Sequence, residues 1–284
     1  MKWARLLAGA MTFAILLWRL GTGPFVDGVR TIDGRALGAA AVLAVLTTVC
    51  CAWRWKLVAG GLGVHLSLPA AVAAYYRSLF LNVTLPGGVV GDVHRGVSHG
   101  LRAVVWERSA GQVVQAVLTV AVLLALPSPV HSLMPVVAIA VVVAFVGVAL
   151  VTRVRPALGR RAWFGVALAS ALVVLGHAVT FLIAARTAGV TAPPSRMLPL
   201  ALLVMLAMTL PSIGGWGPRE GAAAWVFGAA GLGAQSGVET AVVYGVLVLV
   251  ASLPGAGVLV VAWLRRTRPP WRPEPPIAEG AAHA

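Results

Sequence analysis

The chain has 284 residues, 60% of them hydrophobic and 11% charged, with a mean hydropathy of +0.92. A soluble domain carries roughly 25% charged residues, so this composition excludes a fold that covers itself in water. The 22 Lys and Arg against 8 Asp and Glu leave a formal net charge of +14, but no basic patch is interleaved with aromatics on a soluble module, so nucleic-acid binding is not expected.

The basic residues fall between apolar stretches, where they meet anionic headgroups and fix orientation. Lys2 and Arg5 precede the first stretch, Leu6–Leu20. No small-residue cleavage site follows it cleanly, and Trp18-Arg19 forms an interfacial anchor pair, which predicts an uncleaved span. Leu37–Trp53 is the next span, followed by Arg54 and Lys56. Its adjacent Cys50 and Cys51 are expected to pack, with no disulfide or zinc framework. Leu68–Leu85 ends at a proline, and its Tyr75, Tyr76 and Arg77 look like an interfacial belt. Gln112–Leu126, Leu133–Val151, Trp163–Ala185 and Val238–Leu264 are further spans; each helix needs about 20 residues to cross the hydrocarbon layer. Between the last two lie Met197–Leu210, also ending at a proline, and the short Ala222–Leu232. The expected domain covers residues 1–265, and the Arg- and Pro-rich stretch 266–284 is expected to be a disordered tail.

Four basic clusters set the topology: Lys2/Arg5, Arg54/Lys56, Arg153 to Arg161, and Arg265/Arg266/Arg268. Placing all four in the cytoplasm closes the path with both termini inside and Pro127–His131 outside, in the cell membrane.

Two places break the helical pattern alike. One is Asn82-Val-Thr-Leu-Pro-Gly-Gly-Val-Val-Gly-Asp-Val-His-Arg95, and the other is Leu210-Pro-Ser-Ile-Gly-Gly-Trp-Gly-Pro-Arg-Glu220. Each runs from Leu-Pro through glycines to one acid and one arginine, and helix cannot continue through either. Backbone freed at membrane depth is tolerated only when buried in protein or facing a wet cavity. The first break is entered from the cytoplasm and the second from outside, the arrangement that marks a transporter-type site between inverted repeats.

Of the eight acids, Asp92, Glu107, Glu220 and Glu239 lie beside or within these breaks, whereas Asp27, Asp33, Glu274 and Glu279 are expected to be solvated. Asp92 with Arg95 and Arg219 with Glu220 are expected local pairs. Arg108, Gln112, Gln115 and Thr119 recur at helical spacing, giving a polar stripe that either faces the bundle interior or snorkels at the interface. His177 and Thr180 form a small polar face expected to hydrogen-bond between helices. His94 and His99 have no Cys or carboxylate arrangement for zinc, and no metal or cofactor is expected.

At these residues the sequence resembles the lysylphosphatidylglycerol synthase transmembrane family, a flippase-like domain. The resemblance rests on Tyr75 through Gly88, then Gly91-Asp92, Arg95, Glu107-Arg108, Ala188-Gly189-Val190, and Leu210-Pro211 through Gly217-Pro218-Arg219-Glu220-Gly221. It covers roughly residues 5–265. His94 departs from the apolar or alanine-like residue more usual before the arginine. The resemblance implies an all-α membrane helix bundle of about eight crossings with two re-entrant segments around a lipid-headgroup cavity. The cytoplasmic aminoacyltransferase domain of bifunctional relatives has no counterpart here, so synthase activity is not expected.

The leading expectation is a protein that binds and translocates a phospholipid or lipid-linked headgroup, its partners being anionic or aminoacylated phospholipid or a lipid-linked sugar. An intramembrane lipid-modifying transferase, with Asp92 or Glu220 as base, is one alternative; a non-catalytic subunit of a partner enzyme is another. The candidate headgroup contacts are Asn82, Pro86, Gly87, Gly88, Gly91, Asp92, Arg95, Glu107 and Arg108 with Pro211, Gly214, Gly215, Gly217, Arg219 and Glu220. Arg95 and Arg219 would meet phosphate, and the acids would hold them or contact an amino group.

Overall fold

A computed structural model describes residues 18, 21–85, 89–126, 156–209 and 217–267. The expected spans Leu6–Leu20 and Leu133–Val151 and the tail lie outside these residues, apart from Trp18 and the first two tail residues, Arg266 and Thr267, which are helical. All regular structure among the described residues is helical.

A short helix, α1 (Gly23–Arg30), opens the described chain and packs on the later bundle. It lies between the expected spans Leu6–Leu20 and Leu37–Trp53. Asp33 then caps α2 (Gly34–Gly60), its carboxylate accepting from the Ala36 N–H at 2.8 Å. Ser67 caps α3 (Leu68–Thr84) in the same way. This helix stops where expected: Leu85 precedes Pro86 and is extended, because the proline ring disfavours helical backbone in the residue before it. The first break is not wholly irregular, since Val90–His99 forms a ten-residue helix, α4. Gly100, at φ 100°, turns the chain directly into α5 (Leu101–Ala125).

The remainder is α6 (Arg160–Thr187), α7 (Pro194–Ala207), α8 (Pro218–Ala229), α9 (Ala234–Ser252) and α10 (Pro254–Thr267). By length and composition α2, α5, α6 and the α9–α10 stretch Ala234–Leu264 can each cross a membrane. One expectation is corrected by these boundaries. Arg54 and Lys56 lie inside α2, and Glu107 and Arg108 lie inside α5, so these charges are carried on helices long and apolar enough to cross a membrane. The expected single span Val238–Leu264 lies within the apolar stretch Ala234–Leu264, long enough as a whole to cross a membrane, with a local break at Leu253-Pro254, where proline has no N–H to continue the helical ladder.

Packing relies on small residues, which let helix backbones approach without a hydrophobic driving force between them. Phe181 on α6 is the centre of the larger core, edge-on to Phe227 of α8 and 5.8 Å from the Tyr244 ring of α9. A second core gathers Ala52 and Trp55 of α2, Ala71 and Tyr75 of α3, and Ala103 and Val104 of α5. The outward faces are also apolar, with Val42, Leu46, Phe164 and Leu175 exposed, as suits helices whose solvent is lipid.

Candidate functional site

Tyr75, Ser78 and Asn82 recur at helical spacing and line one face of α3. The α4 helix lies against that face because Gly91 has no side chain: a Cβ there would overlap the backbone carbonyl of Ser78. Asn82 fastens the two ends of the break together. Its Oδ1 accepts from the Gly91 N–H at 2.8 Å, and its Nδ2 donates to Asp92 at 3.1 Å. Asp92 also accepts from Ser78 Oγ at 3.0 Å.

From here an ionic knot spreads over five helices. Arg95 Nη2 donates to Asp92 at 3.1 Å and to Glu107 of α5 at 2.9 Å. Glu107 Oε1 in turn accepts from Tyr75 at 3.2 Å and from Arg54 Nε at 2.9 Å, with Arg54 Nη2 on the same oxygen. Arg54 Nη1 donates to Ser170 of α6 at 3.1 Å, and Gly111 leaves the slot that its guanidinium occupies. Arg108 Nη2 closes the knot on Asp92 at 2.6 Å. Arg54, Arg95 and Glu107 are almost completely buried, whereas the Arg108 side chain is 40% exposed and gives the knot its accessible edge.

Three guanidiniums here face two carboxylates, a surplus of one positive charge. Arg95 is stacked between the Trp55 and Tyr75 rings, 4.5 and 4.2 Å from their centroids. Stacking satisfies the faces of the guanidinium but not its edge. Arg95 Nε and Nη1, and Arg108 Nε, are buried without a hydrogen-bond partner.

The second break builds a smaller knot. Gly217, at φ 106°, turns the chain into α8, and its N–H donates to Glu220 at 2.7 Å. Glu220 also accepts from Arg219 Nε at 2.8 Å and from its Nη2. Gly245 of α9 makes room for the Arg219 guanidinium, which lies 5.7 Å from the Tyr244 ring. The Tyr244 hydroxyl is paired with His177 Nδ1 of α6 at 2.9 Å.

The family profile described as the lysylphosphatidylglycerol synthase TM region matches residues 2–255. The chain belongs to that family. No curated protein and no solved structure matches it. The protein is thus a membrane protein of a lipid-related family, and both knots of this lysylphosphatidylglycerol synthase TM domain fall inside the matched region.

Asp92 with Arg95 and Arg219 with Glu220 pair as the sequence led us to expect. Asn82, Gly91, Glu107 and Arg108 join the first pair, and Gly217 joins the second. Pro86, Gly87, Gly88, Pro211, Gly214 and Gly215 lie outside the described residues. His177 makes the interhelical bond expected of it, while Thr180 bonds within its own helix to Gly176. The stripe on α5 is mixed: Thr119 is buried, Arg108 and Gln115 are half-buried, and Gln112 is exposed.

Sequence reasoning missed Arg54, taken for a headgroup anchor, and Tyr75, taken for an interfacial residue. The membrane cost of an unpaired Glu107 was the signal available, since it demands a cation from another helix.

Proposed function

We propose that this protein binds a membrane lipid by its headgroup phosphate at the Arg95–Arg108 knot and carries the lipid between leaflets. The observation that supports this reading is the set of buried, unpartnered guanidinium nitrogens on Arg95 and Arg108. A buried donor without an acceptor costs about 1–3 kcal/mol, and a phosphate brings several acceptor oxygens and the compensating negative charge. Asp92 and Glu107 hold the arginines in place; Asn82 and Gly91 fix the α3–α4 corner on which Asp92 and Arg95 sit. Arg219, oriented by Glu220, offers a second phosphate contact from the other break. In this reading the protein lies in the cell membrane with both termini cytoplasmic.

The test is reconstitution of the full chain into phosphatidylcholine–phosphatidylglycerol vesicles carrying a fluorescent phosphatidylglycerol, with external dithionite quenching to report leaflet exchange. Exchange should exceed that of empty vesicles, and Arg95→Lys should slow it about tenfold, because an ammonium cannot reproduce the planar fork. Exchange no faster than in empty vesicles would refute translocation. Chemical modification of the lipid, read by mass spectrometry from the same vesicles, would point to transferase activity.

A further inference from the structure

The unpaired atoms at the first knot are all of one kind. Among the described residues, every buried side-chain polar atom without a hydrogen-bond partner is a nitrogen: Trp55 Nε1, Arg95 Nε and Nη1, His99 Nδ1, Arg108 Nε and Gln115 Nε2. The arginine and tryptophan nitrogens can only donate. Trp55 stacks on Arg95 and meets the His99 ring edge-on at 5.4 Å, so these nitrogens belong to one neighbourhood.

The acceptors there are already engaged. Glu107 Oε1 takes Arg54 and Tyr75, and its Oε2 takes Arg95. Asp92 Oδ1 takes Ser78 and Arg95, and its Oδ2 takes Asn82 and Arg108. Aromatic faces are the other place where a protein holds an ammonium group, and these are engaged too. Trp55 and Tyr75 carry Arg95, and Arg108 lies 5.8 Å from the Tyr75 ring. An incoming cation would therefore find a surplus positive charge, no unengaged carboxylate oxygen and two occupied rings. An incoming anion would find donors.

We propose that the knot selects headgroups whose only charge is negative, a phosphate mono- or diester without an ammonium group, and discriminates against amino and aminoacylated headgroups. This rests on the knot being the headgroup site. It goes beyond that reading, because a phosphate contact alone would admit phosphatidylethanolamine or an aminoacylated phosphatidylglycerol equally well.

The experiment measures binding to the full-length protein in detergent by calorimetry. Its probes are short-chain phosphatidic acid, phosphatidylglycerol, phosphatidylethanolamine, lysyl-phosphatidylglycerol and inorganic phosphate. Phosphatidic acid and phosphatidylglycerol should bind at least tenfold more tightly than the two amino lipids, and Arg95→Lys should erase most of that preference. Because Arg95 is buried and its variant can fail to fold, Arg108→Gln at the accessible edge is the second probe and should shrink the preference severalfold. Equal or tighter binding of an amino lipid, still weakened by Arg95→Lys or Arg108→Gln, would overturn the selectivity while leaving the site in place. Lipid binding indifferent to both substitutions would overturn the site and the selectivity with it. Inorganic phosphate binding as tightly as phosphatidylglycerol would overturn the lipid assignment in favour of a soluble anion.

Discussion

Arg95 and Glu107 meet at 2.9 Å with both side chains sealed from solvent. The arginine comes from a ten-residue helix behind a proline break, and the glutamate from a helix long enough to cross a bilayer. That contact helps tie the first motif to the bundle, and Glu107 also holds Arg54 from α2. Removing one partner of a buried ion pair leaves an uncompensated charge and costs about 3–5 kcal/mol. Glu107→Gln should therefore destabilise the fold by an amount in that range, read as a lower unfolding midpoint in detergent. Glu239→Gln, at a helix surface, should stay within about 0.5 kcal/mol of wild type. Equal stability of the two variants would contradict a structural role for the Glu107 contacts.

Gly91→Ala should separate α4 from α3. The added methyl has no space beside the Ser78 carbonyl, and overpacking of this kind costs about 1–3 kcal/mol. At Gly257 on α10 a Cβ meets nothing within 4 Å. There alanine should hold or raise the midpoint, since it favours helix over glycine by up to about 1 kcal/mol. Thermal unfolding of the pair separates close approach from helix propensity.

Tyr244→Phe removes the hydroxyl that partners His177. Leaving the half-buried imidazole without that partner should cost on the order of 1 kcal/mol. The double variant His177→Phe/Tyr244→Phe should be more stable than the sum of the single variants implies, because both polar atoms leave together. Strict additivity in denaturant unfolding would mean that the hydrogen bond contributes nothing.

These contacts mark where the sequence was informative. Asp92 and Arg95 are three residues apart on one helix, and Arg219 and Glu220 are adjacent, so local spacing made both pairs visible. Helix length and apolar content likewise announced α2, α5 and α6. Arg54 was hidden because it ends an apolar run beside Lys56, the usual place for a headgroup anchor. Its partners, Glu107 and Ser170, are 53 and 116 positions away, and no periodicity reports a contact of that separation. The α4 helix was obscured differently: the Pro-Gly run before it signals a stop, and ten residues with two further glycines carry little helical pattern of their own.

Arg219→Lys tests the second knot. Arg219 uses Nε and Nη2 on Glu220 while its guanidinium fills the Gly245 slot. Lysine keeps the charge but has a single nitrogen to share between Glu220 and a phosphate. Lipid exchange in vesicles should fall about tenfold with a near-native unfolding midpoint, each tenfold corresponding to about 1.4 kcal/mol. Wild-type exchange in the folded variant would remove Arg219 from the headgroup path.

The proposed orientation is tested on α6, which as a spanning helix would carry its basic end in the cytoplasm and its other end outside. In a Cys50→Ala/Cys51→Ala background, Gly159→Cys should react with an impermeant maleimide only after permeabilisation. Ala188→Cys should react in intact cells. The reverse pattern would invert the topology.

Ser170 and His177 are two turns apart on the same face of α6, about 10 Å along its axis. The first touches Arg54 of one knot, and the second touches Tyr244, on which Arg219 of the other is stacked. His177 is also within electrostatic reach of Arg54 and Arg108. A helix has little freedom to stretch between such points, so α6 fixes the spacing between them. The two broken motifs are in this sense joined through one rigid element: α6 carries one side chain that touches the first knot and another that touches the ring beside the second.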